Sequence, residues 1–488
     1  MTAPGRSISS ALAILLLGLV AGCSASVAHK VDADRSGPIA VPKGFGSGVG
    51  AADAQDVDHV AFWRGVGSAE LDKLCTDAQA HNLDMQRARA RLEAATALVS
   101  AAGAAQWPQL SFDTSVSHSQ QNLYLGGGAK SATGGKPLVV TQTTFPVSVG
   151  ASYEVDLWGR IASGKAAALL DAAASLEDLA AMEISVAAAV TQAWLSLVAE
   201  RATMAVVQRQ LDTNRKLLEA IELRFSRGLA SSVDVLQQRG QLEAVQTQVP
   251  AIEARQRLAM QQLAVLLGRG PGEIEGMGET AQLPPVPALP ALGVPSELLG
   301  RRPDVRAARK RMLAVDHRVA AAKADLLPSL RLSGSTGFTG RSNPLSFLDN
   351  FVFNLGAALS APLWDGGRRK AEVARVKATL QDAVLAYGQV VQRAILDVEE
   401  ALVREQGEQL GLLAAQKRVE TVTKTLDDTR FRYLHGQSDY LPVLTTLITL
   451  QSLELDLLNR QRALWTARVG LLRALAGRIE DAAPGAKS

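Results

Sequence analysis

The chain has 488 residues, a formal net charge of +3, 47% hydrophobic residues and only 4% aromatic residues. Ala, Leu and Val must therefore form most of any core, and this composition favours long, closely packed helices. The nearly balanced charge argues against a nucleic-acid partner, which usually needs a concentrated basic face. Two cysteines and six histidines leave little material for a disulfide framework or a metal cage, so we expect no cofactor.

The N-terminal residues have the pattern of a bacterial lipoprotein signal peptide. Arg6 precedes an apolar run over residues 11–21, which has the length of a signal-peptide core and is shorter than a spanning helix. Small residues then come directly before Cys23, as in a lipobox. We predict a signal peptide over residues 1–22 and a covalent lipid on Cys23, with an ordinary signal peptide as the alternative. No other segment is expected to cross a membrane as a helix.

The mature chain contains an internal duplication, because five landmarks recur in the same order. They are Ala88–Arg91 with Ala308–Arg311, Trp107–Leu110 with Leu327–Leu330, Val149–Arg160 with Leu355–Gly366, Arg224–Leu236 with Arg430–Leu444, and Leu267–Arg269 with Ala476–Arg478. The sequence therefore predicts two copies of one unit. The predicted segments are a lipidated N-terminal segment (23–81), a first repeat (82–276), a Pro-rich connector (277–302), a second repeat (303–478) and a tail (479–488).

Each copy is predicted to contain the same helices. A first helix ends at a proline, and after the strands come a very long helix and a shorter one. At 1.5 Å per residue each long helix would reach about 100 Å. The predicted helices lie at about 82–106, 161–226 and 233–268 in the first copy, and at about 303–326, 367–434 and 440–476 in the second.

Four strands are predicted from period-two alternation, two in each copy. Leu110 and Phe112, for example, alternate with Ser111 and Asp113. Strands with one apolar and one small or polar face are typical of outer-membrane β-barrels. Four strands cannot close a barrel, and an open edge is not tolerated in lipid, so membrane strands would require oligomerisation. A soluble hairpin pair on a helical protein is the alternative. The predicted strands lie at about 109–124, 140–157, 328–340 and 351–363.

The segment Pro295–Val305 reads PSELLGRRPDV. It resembles, at every fixed position, the P-S-x-L-L-x-R-R-P-D-[IV] signature of the outer membrane factor family, the TolC-like outer membrane efflux proteins. The strand ends containing Leu-Trp and the two Arg-Phe turns are also similar to this family, and the likeness covers about residues 60–477. With its lipobox, the chain resembles the NodT-type lipoprotein branch of RND-type efflux systems.

The resemblance implies a fold that is mainly α-helical with a membrane β-barrel. A homotrimer would form a twelve-stranded barrel from four strands per protomer, with a long periplasmic α-helical barrel and a small equatorial domain. The implied function is a passive exit duct for small molecules such as drugs, without enzymatic activity. Its partners would be outer membrane lipid, a periplasmic adaptor and an inner-membrane RND-type transporter, and it would extend into the periplasm.

The resemblance also points to the turns that join long helices to shorter ones. These turns would form the periplasmic tip and contact the adaptor, although the turn glycines also fit simple helix C-capping. The implied adaptor-docking residues are Arg224, Phe225, Gly228, Ser231, Asp234, Arg430, Phe431, Gly436 and Ser438. We further hypothesise that Leu426, Asp427 and Asp428 line a constriction, with Arg430 as ion-pair partner. A solvated helix face is the alternative for these residues.

Two other functions stay open at this point. One is a type I protein-secretion channel of the same shape, and the other is a non-pore periplasmic structural or adaptor lipoprotein. An adaptor would contain one helical hairpin beside a β-rich domain, whereas this chain repeats a unit of strands and helices. No motif with catalytic or metal-binding spacing is complete. The sequence does not indicate which substrate is exported.

Overall fold

The computed structural model describes residues 62–123, 138–272, 281–287, 289, 299–341 and 350–476. The predicted signal peptide, Cys23 and the four signature residues 295–298 lie outside the described residues. The described chain begins with a short 3-10 helix, Phe62–Val66, and a helix α1, Ala69–His81. Ser68 caps α1 by accepting a hydrogen bond from the Leu71 amide. No sequence pattern predicted α1.

The helices of the two copies follow one another in the predicted order. Two of them are 67 residues long. The first copy contains α2 (Leu83–Ala104), α3 (Arg160–Ser226), α4 (Ser232–Gln246) and α5 (Gln248–Leu266). The second copy contains α6 (Pro303–Ala324), α7 (Arg368–Leu434) and α8 (Leu441–Leu475).

One predicted helix, near residues 233–268, is two helices in the structure. α4 ends at Gln246 and α5 begins at Gln248. Pro250 explains the break, because a proline ring clashes with the carbonyl four residues earlier, which here belongs to Gln246. The corresponding helix of the second copy, α8, carries its proline at Pro442, where the first turn tolerates it. The two copies therefore differ at this place.

The strands form one antiparallel sheet. β1 and β2 both pair with β3, and β4 and β5 follow in that order. The predicted single strand over 109–124 is divided within the described residues, because Pro146 of β3 offers no amide opposite Ser115. The last strand ends at Ser360, earlier than predicted, two residues before Pro362. The strands are β1 (Gln109–Thr114), β2 (Ser117–Leu123), β3 (Leu138–Val155), β4 (Ser329–Arg341) and β5 (Phe351–Ser360).

The strand register gives the sheet one apolar and one polar face, since directly paired residues point to the same side. One row across the four strand positions is Leu110, Ala151, Gly334 and Leu355, and the next row on that side is Phe112, Val149, Thr336 and Phe353. The row between them, on the opposite side, is Ser111, Gly150, Ser335 and Asn354. The apolar side chains are strongly exposed, Leu355 by 80% and Leu110 by 76%. This exposure indicates a surface that faces something other than water.

The chain divides into two compact units. Among the described residues, the first unit contains 94–172 and 310–384, and therefore the whole sheet. The second unit contains the remaining parts of the long helices together with α1, α4, α5 and α8.

The main core of the second unit is built around two buried tryptophans. The Trp194 indole donates to Glu70 of α1, and the Trp465 indole donates to the Pro284 carbonyl of the connector at 2.8 Å. Leu71 and Cys75 of α1 lie in the same cluster. α1 and the Pro-rich connector are thereby attached to the long helices.

Each copy is also closed by one side chain at the start of its first helix. The Asn82 amide donates to the Leu266 carbonyl at the end of α5, at 2.8 Å. Arg302, at the equivalent place in the second copy, donates to the Ala474 carbonyl near the end of α8 and pairs with Asp304 and Asp397. Burial opposes the charge of Arg302, but hydrogen bonds to Asp304 and Asp397 raise its pKa. The Arg-Pro-Asp part of the signature therefore joins three helices.

We expected no further segment to be long and apolar enough to cross a membrane as a helix. Two helices do meet this criterion of length and composition. α3 and α8 each contain an 18-residue stretch with mean hydropathy of 1.4 and 1.3, respectively. α3 is rich in alanine and α8 in leucine, and 56% of the stretch in α3 and 28% of that in α8 is buried against the protein itself. Length and composition alone therefore do not make these helices membrane spans.

Candidate docking and gating site at the two helix turns

The first turn joins α3 to α4 and has a regular helix stop and start. Gly228 has a φ of +69°, and the Leu229 amide donates to the Arg224 carbonyl at 2.9 Å. These features form a Schellman motif, in which glycine adopts the left-handed conformation without strain. Ser231 and Asp234 then form a reciprocal capping box at the start of α4.

The second turn joins α7 to α8 and repeats the helix stop. Gly436 has a φ of +71°, and the Gln437 amide donates to the Arg432 carbonyl at 2.9 Å. Arg432 is therefore the structural equivalent of Arg224, although sequence similarity pairs Arg224 with Arg430. The start of α8 differs from that of α4, because Tyr440 precedes the helix without a side-chain cap. The Ser438 hydroxyl donates to the Asp439 carbonyl.

The two turns come together on one apolar cluster, which we call the turn core. Its buried members are Ile221, Leu426, Tyr433, Tyr440, Val443, Leu444 and Leu447. Ala230 and Val235 of the first turn region pack against it. Leu426, which we hypothesised to line a constriction, is only 4% exposed and packs in this core within the chain. The adjacent Asp427 and Asp428 are exposed.

A ladder of buried polar side chains extends from the turn core along the helices. The Tyr440 hydroxyl donates to Gln238, the Gln238 amide donates to Asn214, and the Asn214 amide donates to the Gln210 carbonyl. The Gln210 amide continues the ladder to the Gln451 carbonyl at 3.0 Å. These bonds join α3, α4 and α8 and, because they are buried, demand a specific alignment of the three helices.

Two tyrosines in the turn core have different surroundings. Their rings are 5.4 Å apart, and the Arg224 guanidinium lies 4.8 Å from the centre of the Tyr433 ring. Burial raises the pKa of Tyr440, and the neighbouring Tyr433 and Asp234 raise it further. Burial also raises the pKa of Tyr433, against an opposing effect of Arg224. Both phenols are therefore protonated at neutral pH and act as hydrogen-bonding or packing groups.

The surface of the two turns is unusually apolar. We call it the turn patch, and its members are 48–64% exposed. They are Phe225, Leu229, Val233 and Leu236 around the first turn, and Phe431, Leu434 and Leu441 around the second. Exposed apolar groups concentrated on one small surface are typical of a binding surface. Of these residues, the sequence analysis singled out Phe225 and Phe431.

The charged residues near the second turn form one ion pair along α7. Asp428 pairs with Arg432 at 3.0 Å, and both side chains are more than half exposed. Within the chain, Asp428 therefore pairs with Arg432 rather than with Arg430, the partner that we had hypothesised. Exposed pairs of this kind stabilise a helix by only about 0.3–0.5 kcal/mol.

Among the described residues, one arginine-lined groove was considered as a catalytic site and clusters of acidic, His and Cys side chains as metal sites. A groove of about 1110 Å³ contains Arg302, Arg393, Arg404 and Arg462, but Arg393 and Arg404 are paired with carboxylates one helical turn away. No group of three His, Cys, Asp or Glu side chains in the described ranges is placed to hold a metal ion.

Comparisons with known proteins agree with this architecture. The family model for outer membrane efflux proteins matches residues 74–269 and 294–477. The chain is 30% identical over 431 residues to the pyoverdine export outer membrane protein OpmQ of Pseudomonas aeruginosa, covering 88% of this chain and 89% of that protein. It is 27% identical over 437 residues to Nodulation protein T of Rhizobium leguminosarum bv. trifolii, covering 89% of this chain and 88% of that protein.

A solved structure shows the same fold. The outer-membrane channel OprN superposes with a TM-score of 0.82 at 24% sequence identity, covering 93% of this chain and 99% of that one. The family match spans most of the chain, and the likeness in fold is nearly complete. This chain is a member of the outer membrane efflux protein family.

Proposed function

We propose that this protein is the outer membrane exit duct of a tripartite efflux pump, and that it works as a homotrimer without chemistry of its own. The observation that carries the proposal is the two-faced sheet. Its exposed apolar face suits lipid, and its opposite face of small and polar residues suits a water-filled lumen. Four strand positions per chain give twelve in a trimer, enough to close a barrel and remove the open edges.

The turn patch is proposed to dock the periplasmic adaptor. Its apolar side chains stand on two rigid helix stops, so a helical partner could insert between the turns with little ordering of the chain. The predicted docking residues Arg224, Phe225, Gly228, Ser231, Asp234, Arg430, Phe431, Gly436 and Ser438 lie in or beside these turns. An inner-membrane RND-type transporter is the proposed source of energy and substrate.

Closure of the duct is proposed to depend on Asp427 and Asp428, which are exposed beside the second turn. In a trimer, three copies of these carboxylates around one axis would make a ring of negative charge. Leu426 supports the ring from the turn core, and Arg430 and Arg432 supply nearby positive charge.

Attachment to the outer membrane is proposed to include a lipid on Cys23, which becomes the mature N-terminus. The proposal rests on the sequence pattern alone. The exported substrate is proposed to be a small molecule. Relatives are named for pyoverdine export, fusaric acid resistance and cation efflux, so the family's members differ in cargo.

The test of the proposed function is reconstitution of the purified protein. We expect heat-resistant trimers in outer membrane fractions and stable channels in planar bilayers. A monomer without channel activity would contradict the duct and favour a periplasmic structural lipoprotein. Channels that restore secretion of a protein substrate, but no small-molecule resistance, would favour a type I secretion channel.

Docking is tested separately from the pore. We expect Leu229→Asp combined with Leu434→Asp to abolish small-molecule export in cells while trimers and channels persist, because both charges enter the apolar turn patch. Gln437→Asp is the matched control, since it adds a charge to the same turn at an exposed polar position. Equal loss of export in the control would contradict docking through the turn patch.

A further inference from the structure

Where the sheet meets the helices, one hydrogen bond joins the two copies. It is formed once among the described residues, although the duplication supplies its two residue types twice. After β3, the Trp158 indole donates a hydrogen bond to the Pro328 carbonyl at 2.7 Å, just before β4 begins. Trp158 and Leu157 are half-buried there. The contact thus fixes the end of one copy's strand pair against the start of the next.

The duplication supplies the same two groups a second time, Trp364 at the end of the second copy's strand pair and Pro108 at the start of the first copy's. Trp364 is the repeat equivalent of Trp158, and Pro108 is the repeat equivalent of Pro328. The Trp364 side chain is 90% exposed, the preceding Leu363 is 95% exposed, and Pro108 is exposed at the start of β1. Within the described part of the chain, the Trp364 indole makes no hydrogen bond. β1 and β5 are also the two edges of the strand path.

We propose that Trp364 donates this hydrogen bond to the Pro108 carbonyl of a second copy of the chain. The inference rests on the proposed trimer and deepens it, because it specifies the residues and the register of the contact between copies. The exposed side chains of Leu363 and Trp364 are then covered by the β1 edge of another copy. Lipid headgroups against Trp364 are the competing occupant, and the test below separates the two.

The duplication also gives the register of the strands across this boundary. Within the chain, Glu154 of β3 lies directly opposite Arg331 of β4, which comes three residues after Pro328. The repeat equivalents of Glu154 and Arg331 are Ser360 and Ser111. Ser360 of β5 therefore lies opposite Ser111 of the second copy, and Leu359 lies opposite Phe112 of that copy. This register keeps apolar residues on the apolar face and serines on the polar face, as in the rows within the chain.

One difference from the internal junction sharpens the role of Trp364. Glu154 pairs with Arg160 at 2.7 Å and with Arg331 at 3.7 Å, so ion pairs support the β3–β4 boundary. The serines at the equivalent positions of β5 and β1 cannot form such pairs. At the boundary between copies, the indole hydrogen bond and the apolar contact of Leu363 and Trp364 must therefore supply the specificity.

The register is tested by disulfide cross-linking in outer membranes that contain the full chain. Directly opposed residues on antiparallel strands are close enough for a disulfide, whereas a shift of two residues exceeds the allowed distance. We expect oxidised Ser111→Cys/Ser360→Cys protein to give linked dimers and trimers on non-reducing gels. The control Ser111→Cys/Ala358→Cys, shifted by two residues on the same face, should give few. Preferential linking in the shifted pair, or linking in neither pair while trimers persist, would overturn the proposal.

The hydrogen bond is tested with near-isosteric variants. Trp364→Phe removes the indole N–H but keeps an aromatic ring, and we expect it to lower the temperature at which trimers dissociate in detergent by several degrees. Trp107→Phe is the matched control, since Trp107 is also exposed at the same sheet end but its repeat equivalent, Leu327, has no such bond. Equal midpoints for the two variants would overturn the bond and leave Trp364 facing lipid. Absence of trimers in the unmodified protein would instead contradict the proposed function.

Discussion

Tyr433 and Tyr440 lie side by side in the turn core, but only Tyr440 has a hydrogen-bond partner. The Tyr440 hydroxyl donates to Gln238, whereas the buried Tyr433 hydroxyl has no hydrogen-bond partner among the described residues. A buried acceptor that loses its donor costs about 1–3 kcal/mol, while removing an unpaired hydroxyl costs little.

We therefore expect Tyr440→Phe to lower the free energy of unfolding by about 1–3 kcal/mol. Tyr433→Phe should leave it unchanged or raise it slightly. Urea titrations of the detergent-solubilised protein, followed by circular dichroism, would measure both variants. Equal destabilisation by the two substitutions would show that the ladder beginning at Gln238 does not depend on Tyr440.

Position 268 needs glycine both for its backbone conformation and for its close approach to α1. Comparison with Gly228, which shares only the conformation, separates the two effects. Both residues have a φ near +70°. A Cβ on Gly268 would lie 2.2 Å from the His81 carbonyl oxygen, whereas a Cβ on Gly228 would meet nothing within 4 Å. We expect Gly228→Ala to cost about 1–2 kcal/mol from backbone strain alone. Gly268→Ala should cost about 2–5 kcal/mol, because displacement of α1 adds to the strain.

The Gly268 comparison uses the same urea titration. Its discriminating result is the difference between the two alanine variants, since each carries the same conformational penalty. If the two variants unfold at the same urea concentration, the close approach of Gly268 to α1 is not a stabilising contact.

Cys75 gives a pH-dependent prediction. Burial raises its pKa to about 12, although a hydrogen bond with Thr191 opposes the rise. A thiol whose pKa is raised on folding favours the folded state fully below the unfolded pKa, and this contribution is lost as the pH rises from there toward 12. At pH 8 the folded thiol should react roughly a thousandfold more slowly than a free cysteine.

Thiol labelling of the mature protein measures this directly. We expect no labelled cysteine in the folded protein at pH 8 and one after denaturation, because Cys23 is expected to be blocked by its lipid. Rapid labelling of a Cys75→Ala variant in the folded state would contradict lipidation of Cys23. Rapid labelling that disappears with Cys75→Ala would instead contradict the buried thiol.

At the residue scale, sequence patterns identified positions but not their partners. Ser231 and Asp234 were singled out from the turn, and the structure joins them in a capping box. Gln210, Asn214, Gln238 and Gln451 were missed, because a polar residue in a long polar-and-alanine helix resembles a solvated one. The only signal available was the spacing of Gln210 and Asn214 by four residues, which places them on the same helix face.

The proposed gate at the end of α7 gives a prediction about channel conductance. Asp427 and Asp428 are exposed beside the turn core, and in the proposed closed trimer their carboxylates would hold positive charge, such as Arg430, at the aperture. We expect Asp427→Asn combined with Asp428→Asn to raise single-channel conductance, since it removes the ring of charge. The increase would be measured in planar bilayers at fixed salt concentration.

A control for this prediction lies two turns away on the same helix. Glu420 pairs with Lys424 at 2.7 Å and is as exposed as the two aspartates. Glu420→Gln should leave conductance unchanged. If the double aspartate variant also conducts like the unmodified protein, Asp427 and Asp428 belong to a solvated helix face and not to a constriction.

At the element scale, most boundaries could be predicted to within a few residues, and prolines caused the exceptions. Pro108 and Pro328 follow the ends of α2 and α6, as predicted. The effects of two other prolines were not predicted: Pro250 divides α4 from α5, and Pro146 acts on the neighbouring strand and not on its own. A missing amide acts across a sheet, and strand partners are not readable from one strand alone.

At the scale of the whole molecule, the predicted fold class is confirmed by the family match and by the fold of solved channels. The repeat made this possible, because each landmark was supported by a second occurrence. α1 was missed because it lies before the repeated unit, so no second copy supported it. Its burial depends on contacts with distant helices, which local patterns do not contain.

The duplication predicts that the two copies can be supplied as separate chains. A cut near residue 276 leaves the connector with the second copy, to which Trp465 and Arg468 already bind it through Pro284 and Pro287. We expect co-expressed fragments 1–276 and 277–488, the second given its own signal peptide, to assemble into heat-resistant particles that contain three of each. Neither fragment alone should form them, because each sheet portion would lack its neighbour.

The contacts of Asn82 with Leu266 and of Arg302 with Ala474 have a consequence for how such a molecule can arise. Each copy ties its own beginning to its own end, so both contacts fit descent from one ancestral copy. A ring of six half-length chains would then have the same wall as a ring of three full-length ones. Fusion of an ancestral half-length gene would have halved the number of subunits to be collected at the membrane, and left each half free to diverge at its own helix turn.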